Sequence, residues 1–265
     1  MSLPISSTPS KVFLDTCVLV SASVYGSYKD LNIDLEHQFY EKTVPLFKII
    51  RKHMGERIGI ISYRIETQAI GVIANAVAEQ LEEKAENITD PESRAQLFES
   101  HTVFFDQCFA HLQENLSILQ REPIAQSDID QCYPAVSIMY NDLQRIAEKL
   151  DINKLINANV SRRYRDTIRY EISEQYRKRY KQLLKLQNEP VEESDKRILC
   201  EVISLLHNYQ KAISQDIRMY LASTDYHFSP SNSEGEITKE VRTRFQIICD
   251  WPDQIAESLR SDGFA

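Results

Sequence analysis

The 265-residue sequence contains no CxxC pair, and its five cysteines (Cys17, Cys108, Cys132, Cys200 and Cys249) are odd in number and widely spaced. Nothing in that pattern reads as a disulfide framework or a zinc site, and it fits a reducing, cytoplasmic setting. No run approaches the ~18 apolar residues of a membrane span. The opening MSLPISSTPSK lacks the apolar core of a signal peptide. Neither a GxxxxGKS/T phosphate loop nor a GxGxxG turn is present, so nucleotide-cofactor chemistry has no foothold. No Ser–His nucleophile pair is indicated. The net charge of -8 disfavours a nonspecific polyanion binder, although the distribution of charge matters more than its sum.

What the chain does have is a short apolar run that ends in a carboxylate. Residues 11–20, KVFLDTCVLV, read as a strand buried on both faces of a parallel sheet, with Asp15 at its carboxyl end. Parallel α/β sheets place their ligand sites at that edge. The plainer alternative is that Asp15 caps a helix starting near Thr16.

Taken in order, residues 21–33 look like a loop. Residues 34–54 carry apolar residues at helical spacing, with Pro45 inside and Gly55 as the C-terminal cap. RIGII (57–61) reads as a second strand, and Ser62 as the N-cap of a helix running to about Glu86. From about 75 to 189 the pattern is all helical, with helices near 91–119, 127–150 and 159–187. Thr89-Asp90-Pro91-Glu92 is a helix start signal. A helix over 192–208, a strand over 219–223, a loop at 229–236, a strand at 245–248 and a helix over 252–259 complete the chain.

Four carboxylates stand at equivalent places. Asp15 and Asp225 end strands, and Glu66 and Asp195 open helices. In a parallel sheet, strand carboxyl ends and the following helix amino ends share one edge, so the four acids can converge there. Oxygen ligands of that kind suit Mg²⁺ or Mn²⁺. Glu192, Glu193 and Asp216 are neighbouring acids that could substitute; His227, two residues past Asp225, could face the cleft but reads rather as a loop residue.

KVFLDTCVLV, ISYRIETQA around Glu66, SDKRILCEVISLL around Asp195, and ASTDYHF around Asp225 together resemble the PIN-domain nuclease family. The resemblance implies an α/β, PIN-like parallel-sheet three-layer core formed by 11–74 and 190–262, with 75–189 as a large all-helical insertion. It implies that Asp15, Glu66, Asp195 and Asp225 are both the catalytic residues and the metal ligands, supported by Thr16 and Thr224. The implied activity is that of a Mg²⁺- or Mn²⁺-dependent endoribonuclease hydrolysing RNA phosphodiesters.

One stretch suits the RNA. Residues 161–185, SRRYRDTIRYEISEQYRKRYKQLLK, hold nine basic residues against three acids, interleaved with four tyrosines. Arg162, Arg163, Arg165, Arg177, Lys178, Arg179 and Lys181 are candidate RNA contacts. A solvated helix face with tyrosines packed inward is the competing reading. The insertion is equally a candidate surface for a protein partner, as part of a catalytically silent PIN-like scaffold. A haloacid-dehalogenase-like phosphatase ranks last, because it wants a second Asp where Cys17 stands.

Overall fold

Val12, Phe13 and Leu14 form the centre of β1 (Ser10–Leu14) and are wholly inaccessible to solvent. The computed structural model describes residues 9–31, 39–159, 166–213, 216–228 and 235–264. The chain divides into two compact units. One is Met1–Pro123 with Gln215–Thr224 and Trp251–Ala265, and the other is Ile124–Ser214 with Asp225–Asp250. The division does not follow the expected bounds of 11–74, 75–189 and 190–262: residues 75–123 go with the sheet.

In the first unit β1 lies between β2 (Gly59–Ser62) and β4 (Arg218–Ala222), and β3 (Gln120–Glu122) flanks β2, all in parallel. Val12 faces Gly59, and Leu14 faces Ala222. Successive strand side chains point to opposite faces. Every residue of β2 is buried, as are Val12 to Leu14, so helices must cover this sheet on both faces. Two groups do so. α1 (Thr16–Leu31) packs with α3 (Tyr63–Glu86) and α4 (Pro91–Ser117), while α2 (Tyr40–Lys52) packs with α11 (Pro252–Ser261) and α1. Gly59 lets its neighbours approach closely, since a Cβ there would stand 2.7 Å from the end of Leu119 and 3.0 Å from Ile50, so these side chains would have to shift.

The second unit holds α5 (Gln126–Lys149), α6 (Ile152–Asn159), α7 (Asp166–Arg179), α8 (Lys181–Leu186), α9 (Glu193–Ile213), α10 (Glu236–Phe245) and β5 (Ile247–Asp250). α5 packs on α9 and α8, and α10 packs on α8 and β5.

Two caps are formed as the sequence indicates. Ser62 accepts the Ile65 N–H at 3.3 Å, and Asp90 accepts the Ser93 N–H at 2.8 Å with Pro91 following it.

Other expectations need correcting. Residues 75–189 are not all helical, because β3 lies within them. Its three polar residues pair only with β2 and are half exposed, so no apolar run announces it. Residues 21–31 continue α1 rather than forming a loop; Ser23, wholly buried, satisfies its hydroxyl by donating to the Leu19 carbonyl at 2.7 Å. Gly55 does not cap α2, which ends at Lys52 with His53 as its C-cap; the left-handed residue that follows is Arg57 (φ 50°). The helix expected over 159–187 is interrupted at Tyr180, and residues 160–165 lie outside the described part. Phe245 ends α10 instead of opening a strand, with Gln246 (φ 60°) turning the chain into β5. Residues 229–234, most of the expected loop, also lie outside the described part.

Candidate metal centre

Parallel pairing of β1 with β4 sets their carboxyl ends side by side, and Asp15 and Ser223 follow them directly. Asp15 is 4% exposed, yet its carboxylate is fully provided for. One oxygen accepts the Thr16 N–H at 2.6 Å; the other accepts the Ser223 hydroxyl at 2.7 Å and the Cys17 thiol at 3.2 Å. That answers the cost of burying a charge. Burial, with Asp15 beside it, pushes the Cys17 thiol far up, so it stays protonated and acts as a donor. Thr224 donates its N–H to Cys17 Sγ at 3.3 Å, and the Thr16 hydroxyl donates to Gln68 at 3.0 Å. Glu66 stands in the first turn of α3 as expected, but Arg121 of β3 grips it with two bonds, of 2.6 and 3.1 Å.

In the second unit Asp195 and Asp225 do come together, and with them comes His227. Asp195 lies in the first turn of α9. Asp225 opens a tight turn in which its carboxylate accepts the His227 N–H at 2.8 Å and its carbonyl accepts the Phe228 N–H at 3.1 Å. Phe228, wholly buried, anchors that turn. His227 Nδ1 then lies 3.1 Å from Asp195 Oδ2 and 3.1 Å from Asp225 Oδ1. The contacts are ion pairs rather than aligned hydrogen bonds, so both ring nitrogens are buried without a hydrogen-bond partner. Burial works against charging the ring, but the two carboxylates prevail and raise His227 to about 9. Burial likewise works against charge on Asp225, and contact with His227 outweighs it, lowering its carboxyl below the ordinary value.

One potential ligand atom from each of Asp195, Asp225 and His227 lies within 4.8 Å of the others. Ligands about 2.0–2.3 Å from a shared cation stand at most about 4.6 Å apart, so small adjustments suffice. Two carboxylate oxygens and an imidazole nitrogen suit Mn²⁺ and other borderline divalent ions better than Mg²⁺, which prefers oxygen throughout. At neutral pH the imidazolium itself holds the two acids together, and a cation at this place would have to displace that proton.

Asp15 and Glu66 belong to the first unit, Asp195 and Asp225 to the second. Of the substitute acids, Glu193 pairs with Lys196 at 2.7 Å and Glu192 accepts the Ser194 hydroxyl at 3.3 Å. His227, which the sequence places two residues past Asp225 and which reads there rather as a loop residue, is buried and stands with the two acids. The CxxH spacing of Cys108 and His111 is no site, because Cys108 is buried in the core and His111 is exposed. Arg177, Lys178, Arg179 and Lys181 stand on α7 and α8 with their side chains largely in solvent, whereas Arg162, Arg163 and Arg165 lie outside the described residues. Among the described residues no helix is long and apolar enough to cross a membrane. Compared with known proteins, the chain matches no family model, no curated protein and no solved structure.

Proposed function

We propose that the chain is a divalent-cation-dependent phosphodiesterase acting on RNA, with Asp195, Asp225 and His227 as the core of its cation site. The observation that carries this reading is the meeting of two carboxylates and a buried imidazole in one place. A bound Mn²⁺ or Mg²⁺ would lower the pKa of a water and polarise a phosphoryl oxygen. Asp195 and Asp225 supply the negative charge that attracts such an ion, and α9 and the 225–228 turn fix their positions. His227 releases its proton when a cation replaces it. The resemblance to PIN-domain nucleases marks Asp15 and Glu66, with Thr16 and Thr224, as functional residues of the first unit, where Glu66 would have to give up Arg121 to meet an ion.

RNA as substrate draws on the basic α7–α8 region. Arg177, Lys178, Arg179 and Lys181 are exposed, and the rings of Tyr176 and Tyr180 stack 6.1 Å apart. α8 also reaches the cation site itself: Gln182 donates to the Tyr226 carbonyl at 2.7 Å, within the turn that carries Asp225 and His227. The test is cleavage of single-stranded RNA by the purified chain in Mn²⁺. Cleavage abolished by EDTA and by Asp225→Asn supports the reading; cleavage unchanged in Asp225→Asn, or absent from the wild type, refutes it. One observation favours a silent scaffold instead. Among the described residues every candidate acid already has a partner, Asp225 and Asp195 in His227 and Glu66 in Arg121. A scaffold would bind RNA or a protein without taking up the cation.

A further inference from the structure

Tyr226 is held on several sides by α8 and the residues just after it. Its carbonyl accepts from Gln182 at 2.7 Å, and its hydroxyl donates to Glu189 Oε2 at 3.1 Å. Its ring rests 4.0 Å from the ring of His227, tilted by 37°. The Lys185 ammonium lies 3.8 Å from the Tyr226 ring centroid. Gln182 is itself 3% exposed, and its Oε1 accepts the Ile237 N–H at 2.9 Å. Gly235 allows this, since a Cβ there would run into the Gln182 amide.

The seat matters for what it leaves undone. Glu189 is four residues beyond Lys185 but stands past the end of α8, off the helix face that carries the lysine. Glu189 spends its carboxylate on the Tyr226 hydroxyl instead. Among the described residues no ion pair involves Lys185. A ring face attracts an ammonium through its quadrupole and restricts its motion, yet it removes none of the positive charge. Lys185 is therefore a placed cation whose charge acts on Asp225 but, among the described residues, closes no ion pair at contact distance. A polyanionic substrate approaching Asp195 and Asp225 needs such a charge, because the carboxylates alone repel it.

We propose that Lys185, seated on Tyr226, is the residue that binds a substrate phosphate next to the Asp195–Asp225–His227 centre. The inference rests on the phosphodiesterase reading above and adds to it a substrate-binding residue outside the exposed basic face.

The test uses the full chain in EDTA, with a fluorescently labelled single-stranded oligouridylate as the probe. Binding is followed from about 50 to about 200 mM salt for the wild type, Lys185→Met and Lys185→Arg. Met keeps an unbranched stem on the ring and removes the charge. Losing one phosphate contact should weaken binding roughly fivefold at about 0.1 M salt and flatten the logarithmic salt slope by about 0.7. Lys185→Arg should restore both. A Lys185→Met protein with wild-type affinity and slope overturns the inference and leaves the RNA reading standing. So does weakened binding at an unchanged slope with a lowered melting temperature, which marks a packing role. A wild type that binds no oligouridylate overturns the RNA reading, and this inference with it.

Discussion

Raising the pH from about 6 to about 10 without divalent cations should cost the folded state a contribution made by His227. The ring titrates near 9 in the folded chain against an ordinary value of 6.5. A raised folded pKa means that the stabilisation is fully present below pH ~6.5 and is lost as pH rises through 9. Raising the ring from 6.5 to about 9 corresponds to at most about 3.4 kcal/mol. Asp225 is 37% exposed at its side chain, and solvent screening there lowers the realistic figure to about 1–2 kcal/mol. The groups acting on His227 are Asp195, Asp225 and the ring of Tyr226, with Lys185 beyond that ring. The lowered Asp225 pKa is the same contact seen from its partner; that share is lost only in acid, as pH falls through the depressed value, and is not additional. Urea denaturation in EDTA at several pH values, for the wild type and His227→Gln, isolates the effect, since the variant keeps every other titrating group. The difference between the two should shrink steadily from about pH 6.5 to about pH 10. Parallel curves across that range would show that His227 is not held as an imidazolium by the two carboxylates.

Asp15→Asn should destabilise the fold by about 1–3 kcal/mol in addition to abolishing any cation-dependent cleavage, because one amide edge would meet donors where a carboxylate accepts them; Ser223→Ala should cost about 1–2 kcal/mol by leaving Asp15 short of a donor, and urea titration checks both. Gly59→Ala should cost about 1–3 kcal/mol, read from the same titration, because its Cβ meets Leu119 and Ile50 at or under 3.0 Å in a packed layer; a neutral result would mean that those side chains give way freely. Replacing Arg177, Lys178, Arg179 and Lys181 together by Ala should weaken oligoribonucleotide binding and flatten its salt dependence while leaving Mn²⁺ binding unchanged. Equal salt slopes in the two proteins would remove this face from the RNA path.

Much of the first unit was legible because its signals are local. KVFL is a run that only a doubly covered strand accommodates, and Ser62 and Asp90 are side chains that serve the next helix turn. Asp195 and Asp225 were legible as helix-opening and strand-ending acids. β3 was not, because a half-exposed three-residue strand at the sheet edge carries no apolar period. The Glu66–Arg121 pair joins residues 55 positions apart, and no rule of spacing reveals it. His227 reads as a loop residue because histidine in a turn is usually solvated; its burial shows only in the fold, where the Tyr226 ring lies 4.0 Å from its own. The break at Tyr180 was hidden for a similar reason. Helical spacing continues across it, and the break shows only in the backbone angles (φ -102°, ψ 21°).

The most direct measurement is calorimetric titration of the apo chain with Mn²⁺ at pH ~7.5, repeated in two buffers of different ionisation enthalpy. A cation that takes the place of the His227 proton should release about one proton per ion bound, and its apparent affinity should rise as pH approaches 9. Asp195→Asn and Asp225→Asn should each abolish the binding heat without unfolding the chain. A wild type that takes up no Mn²⁺ at millimolar concentration, or a pair of variants that bind it as the wild type does, would contradict the assignment of Asp195, Asp225 and His227 as a cation site.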